Sequence, residues 1–439
     1  MVPAVLMAGA PRRARRWTLL AVLLALTVVT GLPLAAPGRA AAEARIAVGE
    51  PATLDPAAAG DAGSAAFIAQ LFESLTAFDP SLVLRPALAE RWDVSPDRRT
   101  ITFVLRPDIN FSDGAPIRAA DVVRSWLRVI DPATPSPLAS LMDDVVGAES
   151  YRLGRASGPG SVGLRAVDDR RVEVDLVRPT GDFPAIVSGP SFGVVPPGFD
   201  GLGDPVDQAV SGGYRLAAID PDGFQLEAND RYWAGRPAIE RIRLVTDLGG
   251  KSAVEAFEDD ELDYAPISAY DASWIRYDPE LGPQLREVAS LALSYLGFDA
   301  SRPPFDDVRV RRAFGQAVDW RRIVELASDG TSVPATSMVP PGIPGRSADD
   351  FVPIHDPGAA RDLLAEAGFP GGRGFPEITM VTAVGHDEAI ATQLREELGI
   401  DVSVEAMDFG TYTARLESDP PAIWGLGWVA DYPGRNDFL

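Results

Sequence analysis

Cysteine is absent from the 439 residues, lysine occurs once (Lys251) and histidine twice (His355 and His386). Without cysteine there can be no disulfide, thiolate metal ligand, cysteine nucleophile or lipid-bearing cysteine after a leader. Neither histidine has a carboxylate or a second histidine at metal-ligand spacing, so no metal and no cofactor are expected. Both are read as exposed helix-end residues. A serine hydrolase needs a general base, and the chain is not read as carrying a G-x-S-x-G elbow. Carboxylates are plentiful enough for a two-acid glycosidase, but Asp306-Asp307 reads as a helix cap and Asp143-Asp144 as a solvated face. With no catalytic set left, the protein is expected not to be an enzyme.

Positive charge is scarce as well. Arg12, Arg13, Arg15, Arg16 and Arg39 precede the first acid, Glu43, leaving 35 basic against 63 acidic residues in the body, a balance of −28. So negative a body repels nucleic acid and anionic lipid alike. Beyond residue 42 no apolar run approaches the roughly 18 residues of a membrane span. The one candidate is Trp17 to Leu32, which follows the arginines and ends at Pro33 and Pro37. Small residues at Ala40-Ala41-Ala42 then offer a cleavage site, so residues 1–42 read as a secretory signal peptide. A retained N-terminal anchor is the alternative, and the residues after the arginine pairs fit a twin-arginine signal poorly.

What is present describes a globular body: 46% hydrophobic residues, 41 Gly and 39 Pro. Alternation predicts strands at 45–48, 101–105, 171–177, 241–245 and 293–298. Helices are predicted at 67–75, 121–130 and from Lys251, and over the stripe Val310, Phe314, Ala317 and Val318. Asp220-Pro221-Asp222-Gly223 between two apolar runs predicts a hairpin. Asp356 with Pro357 starts a helix that Gly368 stops. Residues 377–384, 387–398 and 401–407 then read as strand, helix and strand, hence a parallel β–α–β unit. Residues 151–165 are Gly/Ser-rich and read as an exposed excursion. The class is α/β, with an antiparallel-leaning insertion at about 81–190.

Seven stretches, in register, resemble one known family. They are Leu54-Asp55-Pro56; Leu88-Ala89-Glu90-Arg91-Trp92 with Ser95 and Asp97; and Phe103 to Arg106 followed by Phe111-Ser112-Asp113-Gly114-Ala115-Pro116 and Asp121-Val122. Asn229 to Trp233, Glu261-Leu262-Asp263, Pro304 to Phe314 with Asp319, and Gly427-Trp428-Val429-Ala430-Asp431-Tyr432-Pro433 complete the set. The chain thus resembles the oligopeptide/dipeptide (family 5) extracytoplasmic solute-binding proteins of ABC transporters. It departs from them at Val210-Ser211-Gly212-Gly213-Tyr214, where the family commonly has a proline before the tyrosine.

The resemblance implies a large type II periplasmic-binding-protein-like fold, two lobes with a hinge and a small inserted domain. Its expected divisions are lobe I at 43–80 and 191–292, the insertion at 81–190, and lobe II at 293–439. Family members continue past the last motif, so the chain reads as C-terminally truncated with lobe II incomplete. The function implied is peptide capture outside the cytoplasmic membrane and delivery to ABC permease subunits, by a monomer. Asp431 is the leading ligand-binding candidate, because in peptide-binding members this Asp pairs with the ligand's α-ammonium; the alternative is a turn-forming Asp. Trp428 is next, as an aromatic wall or a core residue. Trp424 and Tyr432 accompany them, and weaker candidates are Gly60, Asp61, Ser191 and Phe192. An oligosaccharide receptor, which Trp424 and Trp428 would suit, a metal-chelate receptor, a secreted hydrolase and an inactive truncated product are the competing readings.

Overall fold

The computed structural model describes residues 4–7, 42–134, 136–201, 203–288, 290–327, 332–343, 346–347, 354–382 and 387–438. The backbone separates into two units. The larger comprises Ala4–Ile267 and Ile275–Arg286, the smaller Ser268–Trp274 and Glu287–Leu439.

In the larger unit, Glu43–Ala47 runs parallel to both Arg241–Val245 and Tyr264–Ile267. The sheet continues through Gly223–Ala228 to Tyr214–Asp220, joined by the expected hairpin. Gly223 sits at φ +143, and a Cβ there would collide with the Leu244 carbonyl oxygen, so the turn requires glycine. On the other side Ala4–Met7, from the segment read as a leader, pairs antiparallel with Tyr264–Ile267, and Leu285–Glu287 lies beyond it.

Both faces of this sheet are covered. Leu216, Leu226, Ile242 and Leu244 pack on Phe67, Ile68 and Leu71 of helix Ala62–Leu71. Ala47 and Ala265 pack with Val254 and Phe257 of helix Ala253–Glu258. The first of these helices begins five residues earlier than apolar spacing predicts, because Asp61 caps it by accepting from the Ser64 N–H at 2.8 Å. It ends at Leu71, since Phe72 turns into extended backbone.

Within the same unit a second, four-stranded antiparallel sheet is ordered Ala89–Val94, Thr100–Leu105, Arg171–Asp175 and Leu164–Ala166. Helix Ala119–Val129 packs on it through Trp126, which is fully buried and meets Phe103 and Phe183 edge-on at 5.9 and 5.8 Å. The stretch 151–165 is largely exposed, although Val162 and Leu164 are buried.

Several motif residues prove to be staples. Asp55 accepts from the Ala57 N–H at 3.0 Å and holds Arg128 bidentately at 3.0 and 2.6 Å. Gly114, at φ +95, leaves room only for the Arg231 guanidinium lying against it. Asn229 is buried, donating to the Gly212 carbonyl at 2.9 Å and accepting from the Arg231 N–H at 3.0 Å. A Cβ on Gly212 would lie 2.6 Å from the Gln70 carbonyl oxygen, a tight main-chain contact, whereas Gly213, where the family commonly has proline, meets only Pro237 and Tyr232 at ordinary distances. Arg106 lies over the Trp233 ring at 3.9 Å, a cation–π contact.

The smaller unit holds a four-stranded sheet ordered Ala292–Phe298, Ile423–Val429, Ile378–Thr382 and Val402–Ala406. Ile378–Thr382 and Val402–Ala406 are parallel and joined by helix Asp387–Leu398, the predicted β–α–β unit. Phe305, Val310, Phe314, Met380, Leu394 and Ile423 form its core. Asp307 caps helix Val308–Ala317 and Asp356 caps helix Pro357–Glu366, as their positions imply. Asp143 and Asp144, read as a solvated face, instead pair with Arg152 and Arg178. Among the described residues no helix is long and apolar enough to cross a membrane; Trp17 to Leu32 lie outside them.

The Asp55–Arg128 pair is mostly buried, with 14% and 19% of the two side chains exposed. Asp55→Ala strands the guanidinium and is expected to destabilise the larger unit by about 2–3 kcal/mol. Urea unfolding with Asp55→Ala and the double variant Asp55→Ala/Arg128→Ala checks this; the second change should recover part of the loss.

Candidate ligand-binding site

The strongest sequence candidates fall on strand Ile423–Val429 and the turn that leaves it. The strand is antiparallel to Ala292–Phe298 on one side and parallel to Ile378–Thr382 on the other. Alternation sends Ile423 into the core and places Trp424, Leu426 and Trp428 on the opposite face, across from Gly297, Tyr295 and Leu293. Gly297 has no side chain because the Trp424 indole lies over it; a Cβ would collide with the ring. Beneath the strand the buried Tyr412 hydroxyl donates to the Gly425 carbonyl. Trp428 keeps 37% of its surface exposed, so one part of the ring is open.

Three residues past the strand's Trp428, the chain reaches Asp431, which is half-buried. Tyr432 is buried against Gly434, where a Cβ would collide with its ring. The turn closes through Asp437, a residue that sequence reasoning did not single out. One oxygen of Asp437 accepts the Trp428 indole N–H at 3.1 Å and the Asp431 main-chain N–H at 2.9 Å. The Tyr432 main-chain N–H reaches the same carboxylate.

Burial pushes the Asp431 carboxyl up to about 6, and the neighbouring Asp437 charge adds to the rise. Burial also raises Asp437, opposed by its indole and main-chain donors. Among the described residues neither carboxylate forms an ion pair. The turn therefore presents uncompensated negative charge beside an open aromatic ring, an arrangement suited to a cationic group of a ligand.

The other four candidates gather in the larger unit. The Ser191 hydroxyl donates to the Ala59 carbonyl at 3.3 Å, next to Gly60, on which Pro137 closes to 2.7 Å of a Cβ position. Asp61 is occupied as the helix cap described above, and Phe192 is buried edge-on against Trp126. Gly189-Pro190-Ser191-Phe192-Gly193 does spell the G-x-S-x-G spacing that the sequence reading treated as absent. Ser191 is nonetheless buried in the single turn Pro190–Phe192 and is not the exposed tip of a strand-to-helix elbow.

His355 is exposed, 3.9 Å from Asp319, and His386 lies outside the described residues. Among the described residues no three or more His, Cys, Asp or Glu are grouped to hold a metal ion. A cavity of about 410 Å³ in the larger unit is lined by Arg215, Arg231, Arg236, Arg241, Glu227 and Glu240, and contains none of the sequence candidates. Three of those arginines already pair, with Glu227, Asp230 and Glu43.

Residues 83–439 match the family model described as bacterial extracellular solute-binding proteins, family 5 middle. The chain is similar to the probable deoxycholate-binding periplasmic protein YgiS of Escherichia coli, with 28% identity over 89% of this chain and 76% of that protein. It is similar to the oligopeptide-binding protein OppA of Bacillus subtilis, with 26% identity over 89% and 75% of the two chains. Among solved structures, the oligopeptide-binding protein OppAIV of Borrelia burgdorferi superposes with a TM-score of 0.73 at 26% identity, covering 90% of this chain and 82% of that one.

The raised Asp431 carboxyl links folding to pH. The folded state holds this proton more tightly than the unfolded chain, so the stability it contributes is complete below the unfolded value of 3.8 and is lost as pH rises through about 6. Above that, the ionised group is a burden that Asp431→Asn removes. At pH 8 the variant is expected to be more stable than the parent by about 1 kcal/mol, a figure reduced for partial exposure, with the difference vanishing near pH 4. Urea unfolding at both pH values checks this, and a less stable variant at pH 8 would contradict it.

Proposed function

The chain belongs to the bacterial extracellular solute-binding proteins of family 5, and on that premise we propose that it captures peptides outside the cytoplasmic membrane and delivers them to ABC permease subunits by lobe closure. The observation that carries the peptide reading is Asp431, half-buried beside a second carboxylate and without an ion-pair partner among the described residues. A peptide's α-ammonium would supply the missing positive charge through a charge-assisted hydrogen bond. Trp428 would lay its open ring along the peptide, with Trp424 and Tyr432 packed on the glycines that support the strand and turn. Gly60, Asp61, Ser191 and Phe192 would act only by shaping the larger unit's backbone.

No covalent step is required, and the ligand leaves unchanged. The Bacillus subtilis and Borrelia burgdorferi relatives are named for oligopeptides, whereas the Escherichia coli relative is named for deoxycholate. Deoxycholate carries a carboxylate, which the Asp431–Asp437 pair would repel. Export by the N-terminal leader and a monomeric state complete the proposal.

Thermal unfolding against a mixed di- to hexapeptide library, a cello- and xylo-oligosaccharide set and deoxycholate tests it. Peptides are expected to raise the midpoint in a concentration-dependent way, and Asp431→Asn to abolish the rise. Because binding uses the ionised carboxyl, apparent affinity should climb about tenfold from pH 5 to pH 7. A midpoint raised only by sugars, or only by deoxycholate, would overturn the peptide reading.

A further inference from the structure

We infer that Asp437 is the positioning residue of the candidate site, fixing the Trp428 indole and the Asp431 turn in a single arrangement. The inference rests on the peptide reading of Asp431. A single carboxylate oxygen receives an indole N–H from the strand, nine residues back, and a main-chain N–H from the turn, six residues back. The Tyr432 main-chain N–H makes a third donor to the same group. One side chain thereby ties the end of a strand to the loop that follows it.

The backbone that carries Asp437 is itself held. The short turn Arg435–Asp437 closes with the Phe438 N–H donating to the Arg435 carbonyl at 3.2 Å. Phe438 is buried in an apolar cluster with Leu293, Val339 and Ile343, on the same sheet face as Trp428. The residue next to the carboxylate thus packs with Leu293, the cross-strand partner of the Trp428 that the carboxylate holds.

The two acids consequently have different tasks. Asp437 is occupied by donors from within the chain, whereas among the described residues no such donor reaches the Asp431 side chain. A free Asp431 carboxylate can meet a ligand, and an occupied Asp437 keeps it in place. An indole free to rotate, or a turn free to flex, would have to be ordered again at each binding event, which weakens affinity. Asparagine at 437 can still accept both N–H groups through its amide oxygen, while alanine can accept neither.

The experiment combines two readouts on the full chain. Spectra of ¹⁵N-labelled indoles, with Trp428 assigned by its loss in Trp428→Phe, follow hydrogen exchange at Trp428 Nε1. Thermal unfolding with the di- to hexapeptide library follows binding. Asp437→Ala is expected to speed exchange at that indole at least tenfold and to reduce the library-induced midpoint shift by half or more; Asp437→Asn should restore both. Trp428→Phe, which keeps the aromatic surface but removes the N–H, should also reduce the shift and remains informative if Asp437→Ala does not fold. Unchanged exchange in Asp437→Ala, no rescue by asparagine, or a full shift in Trp428→Phe would each overturn the inference. If the parent protein shows no library shift, or Asp431→Asn keeps it, the peptide reading fails instead, while the indole exchange still judges the Asp437 contact.

Discussion

Two carboxylates, Asp431 and Asp437, share a half-buried turn in which no ion pair among the described residues balances them. Removing charge from water without a counter-ion opposes folding, and groups kept under such conditions mark sites more often than scaffolds. The turn can exist because main-chain and indole donors offset one of the two charges and leave the other outstanding. That residual charge is what a ligand with an ammonium group would neutralise, so the stability given up by the empty protein is returned on binding.

Such a turn needs a rigid base, and strand Ile423–Val429 provides one. It is hydrogen-bonded on both edges, antiparallel to one neighbour and parallel to the other, with Ile423 buried in the core beneath. The two glycines Gly297 and Gly434 let aromatic rings lie directly on main chain, which closes the layer without adding bulk. Elsewhere the residues shared with the family serve the same end. Asp55 ties the first loop of the body to helix Ala119–Val129, and Asn229 ties the end of a hairpin to the Gly212 contact. Several of the motifs that reveal the family are therefore devices of the fold, and the last is the one proposed to meet a ligand.

The elements that were legible in the sequence were those governed by local chemistry. The 220–223 hairpin, the β–α–β unit around helix Asp387–Leu398 and the cap at Asp356 each follow from turn residues, periodicity or a capping side chain. Helix Ala62–Leu71 was misplaced because its start is set by Asp61, outside the apolar stripe. Helices Trp320–Ala327 and Phe409–Ser418 were not anticipated, and strand Ile423–Val429 was hidden by its glycines and tryptophans, which give no alternation of polarity. Sheet order was beyond local reading altogether, since neighbours such as Glu43–Ala47 and Arg241–Val245 are far apart in the chain. In the proposed site, Asp431 and Trp428 were singled out through their motif. Asp437 was not, because its role depends on how the chain folds back after Gly434.

In the proposed complex a ligand's free amino group meets Asp431. Calorimetric titration with one di- to hexapeptide library, in its free-amine form and after N-acetylation, addresses that contact most directly. Heat and saturation are expected with the free amines, and binding at least a hundredfold weaker after acetylation, a difference of about 2.7 kcal/mol. Equal binding of the two libraries would contradict the contact.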